Sequence, residues 1–109
     1  MTVQILGENY EILYKTESED ERLKDCCGFC DWTTKQIVLE KDMSGSLGNM
    51  DEFKKKVLRH EIVHAFLLES GLGECAGESQ TWASNEEMVD WFARKGPKIY
   101  KAWKEATCV

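Results

Sequence analysis

Histidine and proline are nearly absent from this chain: two histidines, His60 and His64, and one proline, Pro97, occur in 109 residues. A single proline excludes a proline-rich linker or recognition segment. No apolar run approaches the length that spans a bilayer, and Met1 to Leu6 lacks a basic start followed by an apolar stretch. The expectation is a cytosolic protein with no membrane partner. A basic surplus is also missing, because 14 Lys and Arg face 20 Asp and Glu for a formal charge of −6. Phosphate neutralisation needs a basic face, so no nucleic-acid partner is expected. The one early cluster, Lys54, Lys55, Lys56 and Arg59, is explained by a solvated helix face.

Cysteine is present without the regularity that a disulfide framework needs. Cys26, Cys27, Cys30, Cys75 and Cys108 are odd in number and read as free thiols in a reducing compartment. Cys27-Gly28-Phe29-Cys30 is half of a zinc-ribbon pattern that Cys75 and Cys108 would have to complete from irregular spacing. The glycine-rich stretch Gly71 to Gln80 lacks the Lys-Ser/Thr ending of a phosphate-binding loop, so it reads as a helix connection.

Against these absences stands His60-Glu61-Ile62-Val63-His64, which takes both histidines. On a helix, positions i and i+4 share a face, so both imidazoles reach one metal while Glu61 lies close to a water on it. The helix is predicted independently over Met50 to Ser70, where Phe53, Val57, Leu58, Ile62, Ala65, Phe66 and Leu67 recur at helical period. Asn49 or Asp51 caps its start, and Gly71 permits a left-handed stop. Catalytic zinc takes three protein ligands and leaves a position for water, so a third ligand must come from a carboxylate or a thiolate. The amphipathic segment Ser84 to Ala93 offers Glu86 and Asp90 at i and i+4. Glu86 is placed ahead of Glu87 as the third ligand, because Glu87 stands three residues after Ser84 and fits a capping box. Asp90 is placed behind a ligand histidine, accepting its second ring N–H.

His60-Glu61-x-x-His64 followed by Glu86-x-x-x-Asp90 resembles the gluzincin-type zinc metallopeptidases, and its short form is similar to the small ImmA/IrrE-type metallopeptidases of phages and mobile elements. The likeness covers roughly residues 36 to 95, and Val89-Asp90 departs from the residues that often precede the closing Phe-Ala of that family. The resemblance implies a zinc ion held by His60, His64 and Glu86, Glu61 as general base toward a water that the metal acidifies, and a protein or peptide substrate. It also implies an edge strand that binds extended substrate; Gln36 to Lys41, with Ile37, Val38 and Leu39, is assigned that part. Tyr10, Tyr14, Tyr100 and Arg59 are the candidate oxyanion donors.

The fold class expected is α+β, a minimal zincin-like single domain over 1–109. Strands and loops fill 1–48: Val3 to Leu6 and Tyr10 to Tyr14 as a hairpin, then Cys27 to Thr33 and Gln36 to Lys41. Three helices fill 49–109, the last running from Pro97 to Ala106. Trp82, Trp91 and Trp103 are expected as core anchors. Two other functional classes stay open: a zinc-stapled interaction module without catalysis, and an iron oxidoreductase, which normally spreads its histidines over barrel strands. The charge balance predicts no salt-dependent binding to duplex DNA in a mobility-shift titration; a shift that weakens with added salt would contradict it.

Overall fold

The computed structural model describes residues 1–72 and 82–109, which form an α+β structure of one four-stranded mixed sheet and two long helices. Most of the glycine-rich connection, and Cys75 within it, lies outside the described residues. The strands are β1 (Thr2–Ile5), β2 (Glu8–Lys15), β3 (Gly28–Asp31) and β4 (Gln36–Glu40), in sheet order β1-β2-β4-β3. The helices are α1 (Met50–Glu69) and α2 (Glu86–Glu105). No described helix is long and apolar enough to cross a membrane.

β1 and β2 form an antiparallel hairpin closed by Leu6 and Gly7, both at positive φ (49° and 86°), as a two-residue turn of the type that matches strand twist. This turn is shorter than the Gly7-Glu8-Asn9 connection expected from the sequence, and it starts β2 at Glu8. A second antiparallel pair, β3 and β4, is closed through Asp31, whose carboxylate accepts the N–H groups of Thr33 and Thr34 at 3.0 and 3.3 Å. β4 then lies parallel to β2, with Ile12 beside Ile37 and Tyr14 beside Leu39.

That topology corrects the strand assigned to substrate. β4 has a neighbour on each side, and Ile37, Val38 and Leu39 are all buried. Ile37 and Leu39 join Ile5, Tyr10, Ile12, Met43, Val57 and Ala65 in the core between sheet and α1. Val38 faces the opposite side, paired with Phe29, over which the Arg22 guanidinium stacks at 4.2 Å. A strand paired on both edges has no free ladder to offer a peptide, so the available edge on this side of the sheet is β3.

α1 starts where Asn49 accepts the Glu52 N–H at 3.1 Å and stops at Ser70, with Gly71 at φ 87°. Its C-terminal end is tied to the sheet through Glu69, which accepts from the Tyr10 hydroxyl and the Lys35 ammonium, each at 2.7 Å. α2 is the larger departure from expectation. The two C-terminal helices predicted from the sequence are one, continuous through Pro97. Proline brings no N–H to the Ala93 carbonyl four residues back, which normally breaks a helix. Here Arg59 of α1 donates its Nε–H to that carbonyl at 2.6 Å, so the orphaned acceptor is satisfied from the neighbouring helix. The expected tryptophan anchors are also corrected, since Trp82, Trp91 and Trp103 are 63%, 54% and 46% exposed. Helical spacing defines a face; it does not supply an element to cover it.

Arg59→Met should therefore destabilise by about 1–3 kcal/mol, the cost of leaving a part-buried carbonyl unpaired. The same substitution in a Pro97→Ala background should cost clearly less, because residue 97 then donates to Ala93. Urea unfolding of the four proteins checks this, and equal cost in both backgrounds would show that the carbonyl is not what Arg59 satisfies.

Candidate metal centre

Two adjoining stripes of α1 build the site. Val57, Glu61 and Ala65, four residues apart, are buried on the side facing the sheet. Lys56, His60 and His64 form the next stripe, turned toward the start of α2. Contacts from His64 to Glu86 and from Lys56 to Asp90 show that the two helices meet antiparallel. Asn85 caps α2 by accepting the Met88 N–H at 3.0 Å, which makes Glu86 the first helical residue. A carboxylate there sits at the positive end of the helix dipole. The cap expected at Ser84 is thereby moved, and with it goes the capping-box role of Glu87, which is exposed at the surface.

The structure brings His60, His64 and Glu86 together: one ligand atom from each lies within 4.8 Å of the others. His60 Nε2 is 3.0 Å and His64 Nε2 2.8 Å from the Glu86 carboxylate, and the two Nε2 atoms are 3.1 Å apart. Metal–nitrogen bonds of 2.0–2.1 Å at tetrahedral angles require donor atoms about 3.3 Å apart, so the three are spaced to fit one small cation. Their chemistry fits as well. His60 Nδ1–H donates to Asp90 Oδ1 at 3.0 Å, which leaves the lone pair of a neutral ring at Nε2. That nitrogen faces a carboxylate oxygen and a second imidazole nitrogen, an arrangement that either a shared proton or a small cation satisfies.

Asp90 stands within hydrogen-bond distance of His60 Nδ1 and of two further donors. Burial pushes its carboxyl up, but hydrogen bonds from Arg94 at 2.7 Å, Lys56 at 3.0 Å and His60 hold it well below the usual carboxylate range. Lys56 and Arg94 were missed as site residues, although each stands one helical turn from a predicted one, four before His60 and four after Asp90. Burial likewise disfavours the imidazolium of His64, whose pKa is lowered.

Glu61 is the one buried charged side chain among the described residues, at 7% exposure. It lies against β3 at Gly28, where a Cβ would stand 2.7 Å from Leu39 Cδ2, 3.0 Å from the Val38 carbonyl oxygen and 3.5 Å from Glu61 Cγ. Glycine is required there by the neighbouring strand β4, since the contact with Glu61 would be an ordinary one. Burial first, and then the Glu86 carboxylate, push Glu61 up to about 7 against the opposing pull of His60 and Lys56. A cleft of about 390 Å³ opens here between α1 and β3, lined by His60, Glu61, His64 and Glu86 together with Cys26, Gly28, Phe29, Cys30 and Leu68. Cys26, Cys27, Cys30 and Cys108 are free, and none joins the converging donors. Of the candidate oxyanion donors, Tyr10 is engaged with Glu69, Arg59 with Ala93 and Glu52, and Tyr14 lines a separate cavity beside Leu39. None of these three lines the cleft.

Comparison with protein-family models, curated proteins and solved structures found no match.

The raised Glu61 carboxyl makes the metal-free protein sensitive to pH. A group whose folded pKa of about 7 exceeds its ordinary 4.5 contributes fully below 4.5 and loses that contribution as pH rises through 7. His64, shifted the other way, acts in the opposite direction, so the comparison must be with Glu61→Gln. Urea unfolding of metal-free wild type against Glu61→Gln should show the wild type losing a few kcal/mol relative to the variant between pH 5 and pH 8. Parallel profiles would mean that Glu61 ionises as freely as a surface glutamate.

Proposed function

We propose that the protein is a zinc-dependent hydrolase, a small gluzincin-type metallopeptidase in a minimal zincin-like domain. The observation that carries the reading is the convergence of His60, His64 and Glu86 beside a buried, proton-retaining Glu61. Two imidazoles and one carboxylate are the donors of catalytic zinc sites, whereas a purely structural site prefers four protein ligands. Among the described residues three converge, which weighs against a stapled interaction module.

Zinc bound by these side chains would supply Lewis acidity, acidifying a water and polarising a carbonyl. Every other part belongs to the chain. Asp90 holds the His60 ring by its Nδ1–H and keeps Nε2 available. Glu61, buried beside the three donors, takes a proton from the attacking water and returns it to the leaving amine. Leu68, on the wall of the cleft, limits the water around that exchange.

Strand β3 supports a peptide substrate. Glu40 N–H bonds to the Cys27 carbonyl at 2.9 Å, and in an antiparallel ladder the next pairs that exchange bonds with β4 contain Phe29 and Asp31. The backbone groups of Gly28 and Cys30 therefore face outward along the cleft, available to an extended chain. The free thiols favour a reducing, cytosolic setting.

The purified wild type should carry about one zinc per chain by elemental analysis, and Glu86→Ala should lose it. Glu61→Gln should retain the metal while cleavage of an unstructured peptide library, read by mass spectrometry, falls at least about 100-fold. Full turnover by Glu61→Gln would sink the hydrolytic role of Glu61, and stoichiometric zinc in Glu86→Ala would move the third ligand elsewhere.

A further inference from the structure

Apart from Arg94, which donates to Asp90 at 2.7 Å, the distal half of α2 carries chemistry that the metal centre does not use. From Arg94 to Lys104 the chain has five basic residues, Arg94, Lys95, Lys98, Lys101 and Lys104, and no acidic one. Nine of the 14 basic and all 20 acidic residues lie elsewhere, so a segment of charge +5 is attached to a body of −11. At 100° per residue the cations occupy one side of the helix, and Phe92, Gly96, Ile99, Tyr100 and Trp103 the other, with Lys95 and Lys104 at the two borders.

This apolar arc is uncovered. A cavity at the beginning of α1 is lined by Asn49, Glu52 and Phe53 with Arg94 and Lys95, so α1 ends alongside residue 95 and the rest of α2 runs past it. Phe92, Tyr100 and Trp103 are exposed. Toward the start of α2 the arc continues into a wholly apolar cavity of about 280 Å³ where Met88 and Phe92 meet Phe66 and Trp82.

We propose that this face of α2 docks on an anionic lipid surface. The helix lies in the membrane plane, with Phe92, Ile99 and Trp103 at the boundary of headgroups and acyl chains, while the lysines extend along its flanks to the lipid phosphates. Charge complementarity selects this occupant. A second copy packed symmetrically on the same arc would bring two +5 segments together. Duplex DNA would use the cations and leave the aromatic arc in water. An anionic membrane uses both, with tryptophan and tyrosine at the depth they prefer. The −11 body is repelled by the same lipids, which turns it outward. The absence of a helix that crosses a membrane bears only on spanning; docking needs a surface helix alone. At 100° per residue Glu86 lies about 90° round the helix from the middle of the apolar arc, so docking holds the metal centre near the lipid without burying it in the bilayer.

The test is flotation of the full chain with vesicles of phosphatidylcholine alone and of phosphatidylcholine mixed with phosphatidylglycerol. The wild type should float with the mixed vesicles only, less so as salt rises. Replacing Lys98, Lys101 and Lys104 together by Gln should lower partitioning about 100-fold, and Trp103→Ser about tenfold. Trp103→Phe should still bind but lose the blue shift of tryptophan emission that the wild type shows on binding. All four positions are exposed, and circular dichroism checks that each variant keeps its helices. Absence of flotation, equal binding to both vesicle types, or an unaffected triple-Gln variant would overturn the proposal. So would lysine-dependent DNA binding without vesicle binding, which assigns the face to nucleic acid, and Trp103-dependent dimerisation in light scattering, which assigns it to a second copy.

Discussion

Asp90 accepts three hydrogen bonds at once, from His60, Lys56 and Arg94, and the geometry of the metal centre follows from that junction. Two of the donors lie on α1 and one on α2, so the carboxylate is anchored within its own helix while it draws the neighbouring one to it. The contact sets the register between the helices. Once Asp90 is opposite Lys56 and His60, the residue one turn earlier, Glu86, comes within reach of both imidazoles. The same contact decides which nitrogen of His60 carries the proton and which keeps its lone pair. Register, tautomer and ligand placement are consequences of one carboxylate.

The second constraint is the opposite treatment of another carboxylate. Asp90 is held ionised by cationic donors, whereas Glu61 is buried against the sheet and retains its proton to about neutral pH. Two acids of one site thus differ in protonation, and their surroundings make the distinction. Gly28 belongs to the same surroundings: a Cβ there would meet Leu39 Cδ2 at 2.7 Å and the Val38 carbonyl oxygen at 3.0 Å, so a side chain at this position would disturb the sheet against which Glu61 lies.

α2 joins two chemistries end to end. Its first turns supply Glu86 and Asp90, and its distal half presents cations and exposed aromatics on an otherwise acidic protein. That the helix is one rigid element and not two depends on Arg59 meeting the carbonyl that Pro97 leaves without a donor. Arg59 belongs to the helix that bears both histidines, one position before His60, so the turn that carries His60 and the continuity of α2 are secured by adjacent residues.

Much of this was legible in the sequence, where it depended on short-range geometry. The i, i+4 spacing of His60 and His64, the helical period from Phe53 to Leu67, the strand pairs ahead of them and the search for a third donor among carboxylates and thiolates are local properties, and Glu86 and Asp90, which lie beside the histidines, were named from them. The cap argument that favoured Glu86 over Glu87 used Ser84, whereas the helix begins one residue later. Other features depend on which surfaces meet, which a linear pattern does not encode. β4 is central because the chain returns β3 to its outer edge, so Ile37, Val38 and Leu39 are core and the open edge belongs to Gly28 and Cys30. Pro97 continues a helix because a side chain 38 positions earlier supplies the missing donor. Trp103 is exposed because α2 runs on past the start of α1. The sequence by itself determined the donors, since ligand chemistry resides in individual side chains and one helical turn. Only the tertiary structure decided their protonation and their neighbours, because burial and charge pairing are properties of elements brought together across the chain.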